Sequence, residues 1–496
     1  MSPIILFSVI IIYFVILLVV ANRTARNSNN ESFFIGNRSS NWMLVAFGMI
    51  GTSLSGVTFV SVPGAVGKES FAYFQIAIGY LIGYAIIAYV LLPLYYRLNV
   101  TSIYHYLSTR FGFRSYKTGS AFFILSRTLG ATARLYLVVE ILQYSILQSF
   151  NVPFWLTTVI ILIMILLYTY KGGVKTIVWT DTLQTSCMLA GLVICVIFIL
   201  NKMGLSFTDS ISQIREKGYG KIFFTDVNSK LFFVKQILAG AFITITMTGM
   251  DQEMMQKNLS VKTLPDSKKN VLTMSFILTG VLLLFLFLGA LLYLYAGQQN
   301  VAVTGDKLFP EIALHHMPPV ISVIFIIALI SALFPSADGA ITALTSSFCI
   351  DILGMKRRED WTEEERKKIR KRIHLAVAFV FLVFVMIFKW VNNPSMIGVI
   401  LKVAAYTYGP LLGLFSFGII TSRKVLDKFV PIVCLLAPVI CFFLDKFQKI
   451  IFGKYEIGLE LLIINGLLTF IGLYLISKRV LIPVEVKSIL HDGVDQ

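Results

Sequence analysis

The chain has 496 residues, of which 57% are hydrophobic and only 14% are charged, and its mean hydropathy is +0.80. This composition leaves too little polar surface to cover soluble domains, and it therefore excludes a soluble globular protein. The net charge of +17 raises the question of nucleic-acid binding. Because Lys and Arg are concentrated in alternate loops between apolar segments, membrane topology explains the positive charge, and we predict no nucleic-acid partner.

Apolar segments recur along the whole chain, and they are long enough to cross about 30 Å of hydrocarbon as helices. Backbone polar groups must be hydrogen-bonded within lipid, and the segment lengths favour helices over the short strands of a barrel. We predict an all-α polytopic membrane protein with about thirteen transmembrane helices. The predicted segments are 3–21, 41–66, 70–96, 118–148, 153–170, 177–201, 231–250, 271–297, 317–350, 373–391, 395–420, 429–444 and 458–477.

The basic loops predict the orientation of the chain. The loops at 97–117, 251–270 and 351–372 are rich in Lys and Arg and share one side of the predicted topology. Since cytoplasmic loops retain positive charge, we predict an outside N-terminus and a cytoplasmic C-terminus. The segment 3–21 lacks the flanks of a signal peptide, so we expect a retained helix. The predicted location is the cell membrane, specifically a bacterial inner membrane.

The second predicted segment, 41–66, combines apolar residues with glycines and hydroxyl side chains. Such a pattern is typical of two structures. In the first, the glycines allow close helix packing, with hydroxyls bonding across the contact. Alternatively, the helix is interrupted, and its free carbonyl oxygens face an ion near the middle of the membrane. The residues concerned are Gly48, Gly51, Thr52, Ser53, Ser55, Gly56 and Thr58.

Two carboxylates lie in later apolar segments. Asp181 begins the segment 177–201, where a charge is costly and usually serves an ion or a substrate, although a salt bridge or a helix N-cap would also explain it. In the segment 317–350, Asp338 follows Pro335, which either frees a backbone carbonyl or kinks the helix. Ala332 and Ser336 share one helical face there. These oxygen atoms suit an alkali cation, so we expect an ion gradient to supply the energy.

Four stretches of the chain resemble the sodium:solute symporter family, which includes sodium/glucose, sodium/proline, pantothenate, iodide and sialic acid carriers. Their order and spacing, and a glycine pair followed by Trp-Thr-Asp, make the resemblance specific. The stretches are SFFIGNRSSNWMLVAFGMIGTSLSGVTF at 32–59, YTYKGGVKTIVWTDTLQ at 168–184, TGMDQEMMQKNL at 248–259 and SALFPSADGAITALTSSFCIDI at 331–352.

The resemblance implies a core of two inverted five-helix repeats, at 41–201 and 231–420. An extra helix and loop at 1–40 would precede this core, and an extracellular loop at 202–230 would join the repeats. Two helices and a cytoplasmic tail at 421–496 would follow. In such folds the first helix of each repeat is broken, and substrate and sodium bind beside the breaks.

The resemblance also implies a common sodium site and, in some members, a second one. Pro335 replaces one expected hydroxyl of the common site, so this site must lose a ligand, recruit a neighbour such as Ser53, or bind sodium more weakly. The second site would involve Asp181 and positions that here are Pro335, Asp338 and Gly339. Asp338 could strengthen that site or accept a proton, so the number of sodium ions stays open. The expected sodium ligands are Gly51, Leu54, Ala332, Ser336, Asp181 and Asp338; no other cofactor is expected.

The helices that line the substrate space in relatives indicate candidate solute contacts. Arg134 could bind a carboxylate through two hydrogen bonds, or it could neutralise Glu140 or Asp181. The arginine and glutamine that bind sialic acid in relatives align near Gly130 and with Gly79, which argues against sialic acid specifically. The candidate contacts are Ser55, Thr58, Gln75, Arg134, Asp251 and Gln252.

The sequence therefore predicts a secondary active symporter, and not an enzyme, that couples sodium entry to import of a small polar solute by alternating access. A sugar, a sugar acid and another small organic anion all fit. The alternatives are proton coupling, a carrier of an amino acid or vitamin, and a membrane sensor or enzyme that uses the buried carboxylates. The predicted partners are the solute, sodium and the lipid bilayer, and the predicted functional unit is a monomer.

Overall fold

A computed structural model of the chain describes residues 3–24, 33–34, 36–358, 360–391 and 396–479. Their regular secondary structure is almost entirely helical, as the apolar segments predict. The helices used below are α1 (Pro3–Thr24), α2 (Trp42–Leu54), α3 (Gly56–Glu69), α4 (Tyr73–Arg97), α5 (Phe113–Ser145), α6 (Phe154–Gly172), α7 (Val174–Met203), α8 (Phe233–Gly249), α9 (Gln252–Leu259), α10 (Leu264–Gln298), α11 (Pro319–Ile352), α12 (Glu363–Val391), α13 (Met396–Thr407), α14 (Gly409–Ile420), α15 (Val430–Lys446) and α16 (Leu461–Leu475).

Shorter turns join these helices. Wider π-helical turns interrupt α4 at Ile87–Leu91, end α8 at Ile245–Gly249 and end α11 at Phe348–Ile352. The other short helical segments are Gly36–Arg38, His105–Arg110, Leu147–Phe150, Phe207–Glu216, Gly305–Lys307, Leu308–His315, Met355–Arg357, Asp427–Phe429 and Gln448–Phe452.

Within the described ranges, 8 helices are long and apolar enough to cross a membrane alone. Three helix pairs reach this length only together, because each pair bends sharply at a short break: α2 with α3 by 55°, α8 with α9 by 66°, and α13 with α14 by 45°. Counting each pair as one span gives up to 11 spans. The helices α6 and α16 are shorter and apolar. The prediction of a multi-pass helical membrane protein is confirmed at this coarser level.

The break between α2 and α3 resolves the two alternatives for the second apolar segment. Ser55 has φ 15° and ψ 163°, which lies outside the helical region, so the helix stops at Leu54 and restarts at Gly56. A Cβ on Gly56 would lie 2.5 Å from a methyl carbon of Val138, so α5 also packs closely at this point. The segment is therefore an interrupted helix, and its glycine also serves close packing.

The core around this break is formed by helices from both halves of the chain. The helix α2 packs against α7, α10 and α11, and α7 packs along α11. A second close contact joins α4 and α8. At Gly79 in α4, a Cβ would collide with the backbone carbonyl of Ile237 in α8, so this contact requires glycine. These contacts place the first break in the middle of the bundle.

Two features differ from the sequence-based prediction. The loop predicted at 202–230 contains the helix Phe207–Glu216, which begins with a capping box formed by Ser206 and Asp209. The prediction of an all-α fold is also incomplete, because Lys424–Val425 and Ser477–Lys478 form a short antiparallel pair. The helices α14 and α16 pack side by side, so the segments that follow them are close together. Pairing of these segments satisfies their backbone N–H and C=O groups. The predicted tail beyond residue 479 lies outside the described residues.

Candidate functional site

The first break exposes backbone oxygens at the end of α2. The last four carbonyl groups of a helix have no partner within it, and in α2 they belong to residues 51–54. This end faces α11: a Cβ on Gly51 would lie 3.7 Å from Cγ of Pro335, and one on Gly56 would lie 3.7 Å from Cα of Leu333. The structure therefore brings Gly51 and Leu54 beside the segment of α11 that contains Ala332 and Ser336.

Hydroxyl groups surround this helix end. Ser336 donates a hydrogen bond of 2.9 Å to the carbonyl of Leu333 in its own helix. The hydroxyls of Ser53 and Thr185 are buried and have no hydrogen-bond partner among the described residues. Thr185, on α7, lies so close to Gly51 that a Cβ there would collide with its Oγ1. The carbonyls, these hydroxyls and the negative end of the α2 dipole can together attract a monovalent cation.

The helix α11 continues through Pro335 without a break. Because proline has no N–H, the carbonyl of Ser331 loses its usual partner four residues later. In the parts of the chain that the structure covers, no group of three or more His, Cys, Asp or Glu residues could hold a metal ion.

A cavity of about 100 Å³ borders the break and is lined by residues from both helices that meet there. The first turn of α3 contributes to its wall, and the N-terminus of a helix attracts negative charge. Its lining includes three of the predicted solute contacts, Ser55, Thr58 and Arg134, together with Thr52, Tyr73, Tyr80, Tyr84, Arg127, Thr244 and Thr248.

Arg134 stands out in this cavity. Among the described residues it forms no salt bridge, so neither Glu140 nor Asp181 neutralises it. The other arginine of the lining, Arg127, forms a salt bridge with Glu253. A half-buried guanidinium that forms no salt bridge in the described chain is the kind of group that binds a carboxylate.

The other three predicted solute contacts lie outside the cavity lining. Their side chains form hydrogen bonds with backbone groups instead. Gln75 donates hydrogen bonds to the carbonyls of Ala72 and Leu231 and accepts one from the backbone N–H of Phe224. It therefore ties the start of α4 to the segment that precedes α8. Its position gives no support to the prediction of solute contact.

Gln252 and Asp251 are similarly engaged at the second break. The Gln252 side chain accepts from the backbone N–H of Ile103 at 2.9 Å and donates to the carbonyl of Thr101 at 2.8 Å. Asp251 caps α9 by accepting from the N–H groups of Glu253 and Met254 at 2.9 and 3.2 Å. Neither side chain lines the solute cavity, and both stabilise the local fold.

Tyrosine hydroxyls satisfy the backbone at the second break. Tyr95 and Tyr104 donate hydrogen bonds, each of 2.9 Å, to the carbonyls of Gly249 and Met250. Tyr408 donates to Asp251 Oδ2 at 2.8 Å. The carbonyls of Gly249 and Met250 are thus engaged by the protein itself.

A buried ionic network contains Asp181 and borders the cavity at Thr52 and Arg127. Asp181 lies within α7 and is not its N-cap, which is Gly173. The Lys257 ammonium donates to Asp181 Oδ2 at 2.7 Å and to Thr52 Oγ1 at 2.6 Å. Asp181 is completely buried, and the exposed fraction of Lys257 is 2%. Of the explanations offered by the sequence, the salt bridge is therefore observed.

The network continues through α9 to α5. Lys257 Nζ lies 3.6 Å from Glu253 Oε1, Glu253 forms a salt bridge with Arg127, and Arg127 Nη1 lies 3.9 Å from Asp251 Oδ2.

Asp338 accepts a hydrogen bond of 2.7 Å from Tyr168 through Oδ2, and its Oδ1 has no partner within the described part of the chain. The buried charges of Lys257, Asp181, Glu253 and Arg127 are thus paired with one another, whereas one oxygen of Asp338 is not.

Several of these residues were missed from sequence. Lys257 and Glu253 stand in the stretch TGMDQEMMQKNL, where their spacing of four places both on one face of a helix. Arg127 is a charge inside a predicted apolar segment, and such charges are by default functional or paired. These two signals were available. The role of Thr185 had no comparable signal, because a threonine in a lipid-facing helix is common.

The comparisons with known proteins bear on the family of the chain. The sequence profile of the sodium:solute symporter family matches residues 33–425. The chain is 24% identical over 412 residues to the sodium/sialic acid symporter SiaT of Proteus mirabilis, with 78% of both chains covered. It is 25% identical over 409 residues to the sodium-coupled monocarboxylate transporter 1 of Xenopus laevis, covering 79% of this chain and 63% of the relative.

Solved structures show the same fold. A sodium-coupled sialic acid symporter in a substrate-bound, outward-open state matches with a TM-score of 0.82 and 19% identity, covering 96% of this chain and 99% of that one. At this identity the match is evidence of fold alone. Because the family profile extends over most of the sequence, the predicted membership is confirmed: the chain belongs to the sodium:solute symporter family, and it is a sodium-coupled transporter.

Proposed function

We propose that this protein imports a small solute that carries a carboxylate, such as a sugar acid, together with sodium by alternating access. The observation that carries the proposal is the first break, where one interruption offers two opposite binding ends. The carbonyl end of α2 attracts a cation, and the N-terminal end of α3 attracts an anion. Ion and solute would then bind within a few residues of each other, so that each stabilises the site of the other.

Arg134 supports an anionic solute. It lines the cavity beside the N-terminus of α3, and among the described residues it forms no salt bridge. The relatives named above carry sialic acid and monocarboxylates, and these solutes share a carboxylate. At Gly79, which aligns with a sialic acid ligand of relatives, the carbonyl of Ile237 leaves no room for a side chain. We therefore propose the class of carboxylates and not sialic acid in particular.

The sodium ion would bind at the carbonyl end of α2. Its proposed ligands are backbone oxygens of Gly51, Leu54 and Ala332 and the hydroxyl of Ser336. Thr185 would replace the hydroxyl that Pro335 removes, since its Oγ1 faces Gly51 and is free of other hydrogen bonds in the described structure. Thr185 is therefore the proposed replacement for the hydroxyl that is missing at Pro335. We prefer it to Ser53 because Thr185 and Pro335 both lie next to Gly51.

A second cavity gives the solute an entry route. This cavity has a volume of about 260 Å³ and shares Tyr73, Ile397 and Leu401 with the smaller one. Its wall also contains two lysines and two carboxylates, Lys68, Lys230, Glu69 and Asp306, and Lys230 Nζ lies 3.6 Å from Glu69 Oε1, so the formal charges of this entrance balance. In the orientation that the basic loops predict, this end of the bundle faces outside, which fits import.

The remaining architecture follows the same proposal. If α6 and α16 also cross the membrane, the chain has thirteen spans with the predicted orientation. Two of the three bent pairs begin at the predicted starts of the repeats, 41–201 and 231–420, which supports the five-plus-five inverted arrangement. One complete cavity lies within a single chain, so a monomer would suffice. The proposed location is a bacterial inner membrane, with lipid around the exposed apolar helix faces.

A binding screen tests the proposal. Purified protein is heated in sodium or potassium with N-acetylneuraminate, lactate, a neutral hexose or a zwitterionic amino acid, and the unfolding temperature is measured. A ligand of the folded state raises this temperature. We expect a carboxylate to stabilise the protein in sodium but not in potassium, and Arg134→Gln to abolish that shift while sodium alone still stabilises. Stabilisation by the neutral hexose, unaffected in the Arg134→Gln variant, would overturn the anionic solute.

A further inference from the structure

We infer that the ammonium group of Lys257 is a built-in cation that takes the place of a second sodium ion at Asp181, so that the protein binds one sodium ion per transport cycle. The inference rests on the proposed function, because it concerns how many sodium ions accompany the solute. It reassigns Asp181 from a sodium ligand to the partner of a fixed positive charge.

The position of the ammonium carries the inference. Lys257 Nζ lies 2.7 Å from Asp181 Oδ2 and 2.6 Å from Thr52 Oγ1, with Glu253 Oε1 at 3.6 Å. These oxygens come from three helices, α7, α2 and α9. A position bordered by two carboxylates and a hydroxyl is where a small cation would bind, and the ammonium group already fills it.

The residues next to Asp181 lack the hydroxyl ligands that a second sodium ion would need. The resemblance places hydroxyl ligands of a second sodium at residues that here are Pro335, Asp338 and Gly339. Pro335 has no hydroxyl, and a Cβ on Gly339 would collide with the Glu253 carboxylate. The space of a serine at 339 is therefore occupied by Glu253, which Lys257 and Arg127 hold in place. The ionic network therefore occupies space that the hydroxyl ligands of a second sodium ion would need.

Asp338 offers the alternative position for a second sodium ion. Its Oδ2 accepts from Tyr168, while its Oδ1 is buried without a partner in the described chain. A second sodium could bind there and draw on Asp181 Oδ1, which is likewise unpartnered among the described residues. The test must therefore measure the contribution of Asp338 separately.

The inference is tested by counting sodium ions, with sodium alone as the probe. Equilibrium binding of radioactive sodium to the full-length wild-type protein is measured at constant ionic strength, with potassium as the replacing ion. We expect one sodium per protein and a Hill coefficient near one. The Asp338→Asn and Asp181→Asn variants should each retain one ion, because neither carboxylate is a sodium ligand in this account.

The variant Lys257→Ala should open the second position. Removing the ammonium and its stem leaves Asp181, Thr52 and Glu253 around a vacant space, so a second sodium should bind and the Hill coefficient should rise above one. The double variant Lys257→Ala with Asp181→Asn should return to one ion. Lys262→Ala, which changes an exposed lysine of the following loop, is the matched control and should behave as wild type.

The possible results separate the two proposals. Two sodium ions on the wild-type protein, falling to one in Asp338→Asn or Asp181→Asn, would overturn the role of Lys257 and leave sodium coupling intact. Binding of sodium no tighter than potassium would overturn the proposed function itself. If Lys257→Ala does not fold, the wild-type count and the two carboxylate variants still decide the question.

Discussion

Two of the three bent helix pairs, α2 with α3 and α8 with α9, use the same kind of interruption in opposite ways. At the first break, the carbonyl end of α2 is surrounded by hydroxyls of Ser53 and Thr185 that have no hydrogen-bond partner among the described residues. At the second break, Tyr95 and Tyr104 donate to the carbonyls of Gly249 and Met250, and Asp251 caps the helix that follows. A break with spare oxygen atoms can bind a ligand, whereas a break whose polar groups are satisfied serves as a fixed structural joint.

This comparison predicts that changes at the first break alter sodium affinity with little effect on stability. Changes at the second break should alter stability with little effect on sodium affinity. Three substitutions test whether sodium affinity depends on the first break and folding stability on the second.

The largest effect is expected from Gly51→Ala. The new methyl group would collide with Thr185 Oγ1 and fill the space between α2 and α11. If the Thr185 hydroxyl is displaced from the ion, the lost contact with a charge is worth about 1.5–3 kcal/mol, and at the upper end sodium affinity would fall about 100-fold. Sodium-dependent protection against heat unfolding is the measurement. Gly280→Ala, at a position in α10 with no neighbour within 4 Å of the added carbon, should leave the affinity unchanged. Equal sodium affinity in the two variants would contradict the proposed site.

A smaller loss is expected from Ser336→Ala. A hydrogen-bonding group that contacts a charge contributes about 1.5–3 kcal/mol, so sodium affinity should fall at least about 10-fold. Ser346→Ala is a matched control, because Ser346 is also buried in α11 and its hydroxyl also bonds to its own helix, at 2.8 Å from the carbonyl of Thr342. Titration of both variants with sodium measures the difference. A similar loss in Ser346→Ala would mean that the serines act only on the stability of α11.

The smallest effect on sodium is expected at the second break. Tyr104→Phe removes the hydroxyl that donates to Met250 and leaves that buried carbonyl unpaired, at a cost to folding stability of about 1–3 kcal/mol. We expect a lower unfolding temperature and a sodium affinity close to that of the wild type. Tyr89→Phe, at a side chain with 63% exposure, should change neither quantity. A large fall in sodium affinity with unchanged stability in Tyr104→Phe would indicate that the second break also binds the ion.

Much of the fold was predictable from sequence, because the lengths of apolar segments reflect the thickness of the membrane. The interruption in α2 was one of two alternatives, since glycines and hydroxyl residues serve both helix packing and helix breaking. The helix at Phe207–Glu216 and the strand pair near the C-terminal helices were missed, because they depend on local capping and on the meeting of distant segments.

The site was predictable only in part, for a physical reason. The sequence indicates which side chains are polar within the membrane, but not which of them satisfy one another. Asp251 and Gln252 were expected to contact the solute, yet they satisfy backbone groups at the second break. Lys257 was not singled out, although it is the direct partner of Asp181. Three-dimensional pairing decides which polar groups remain available for a ligand.

The central claim is that sodium bound at the first break drives accumulation of the solute. The most direct test is uptake into proteoliposomes of the radiolabelled carboxylate selected by the binding screen, with an inward gradient of sodium or of choline. The account predicts accumulation above equilibrium with sodium, none with choline, and a loss of accumulation in Ser336→Ala but not in Ser346→Ala. Equal accumulation with choline, or with the Ser336→Ala variant at low sodium, would contradict it.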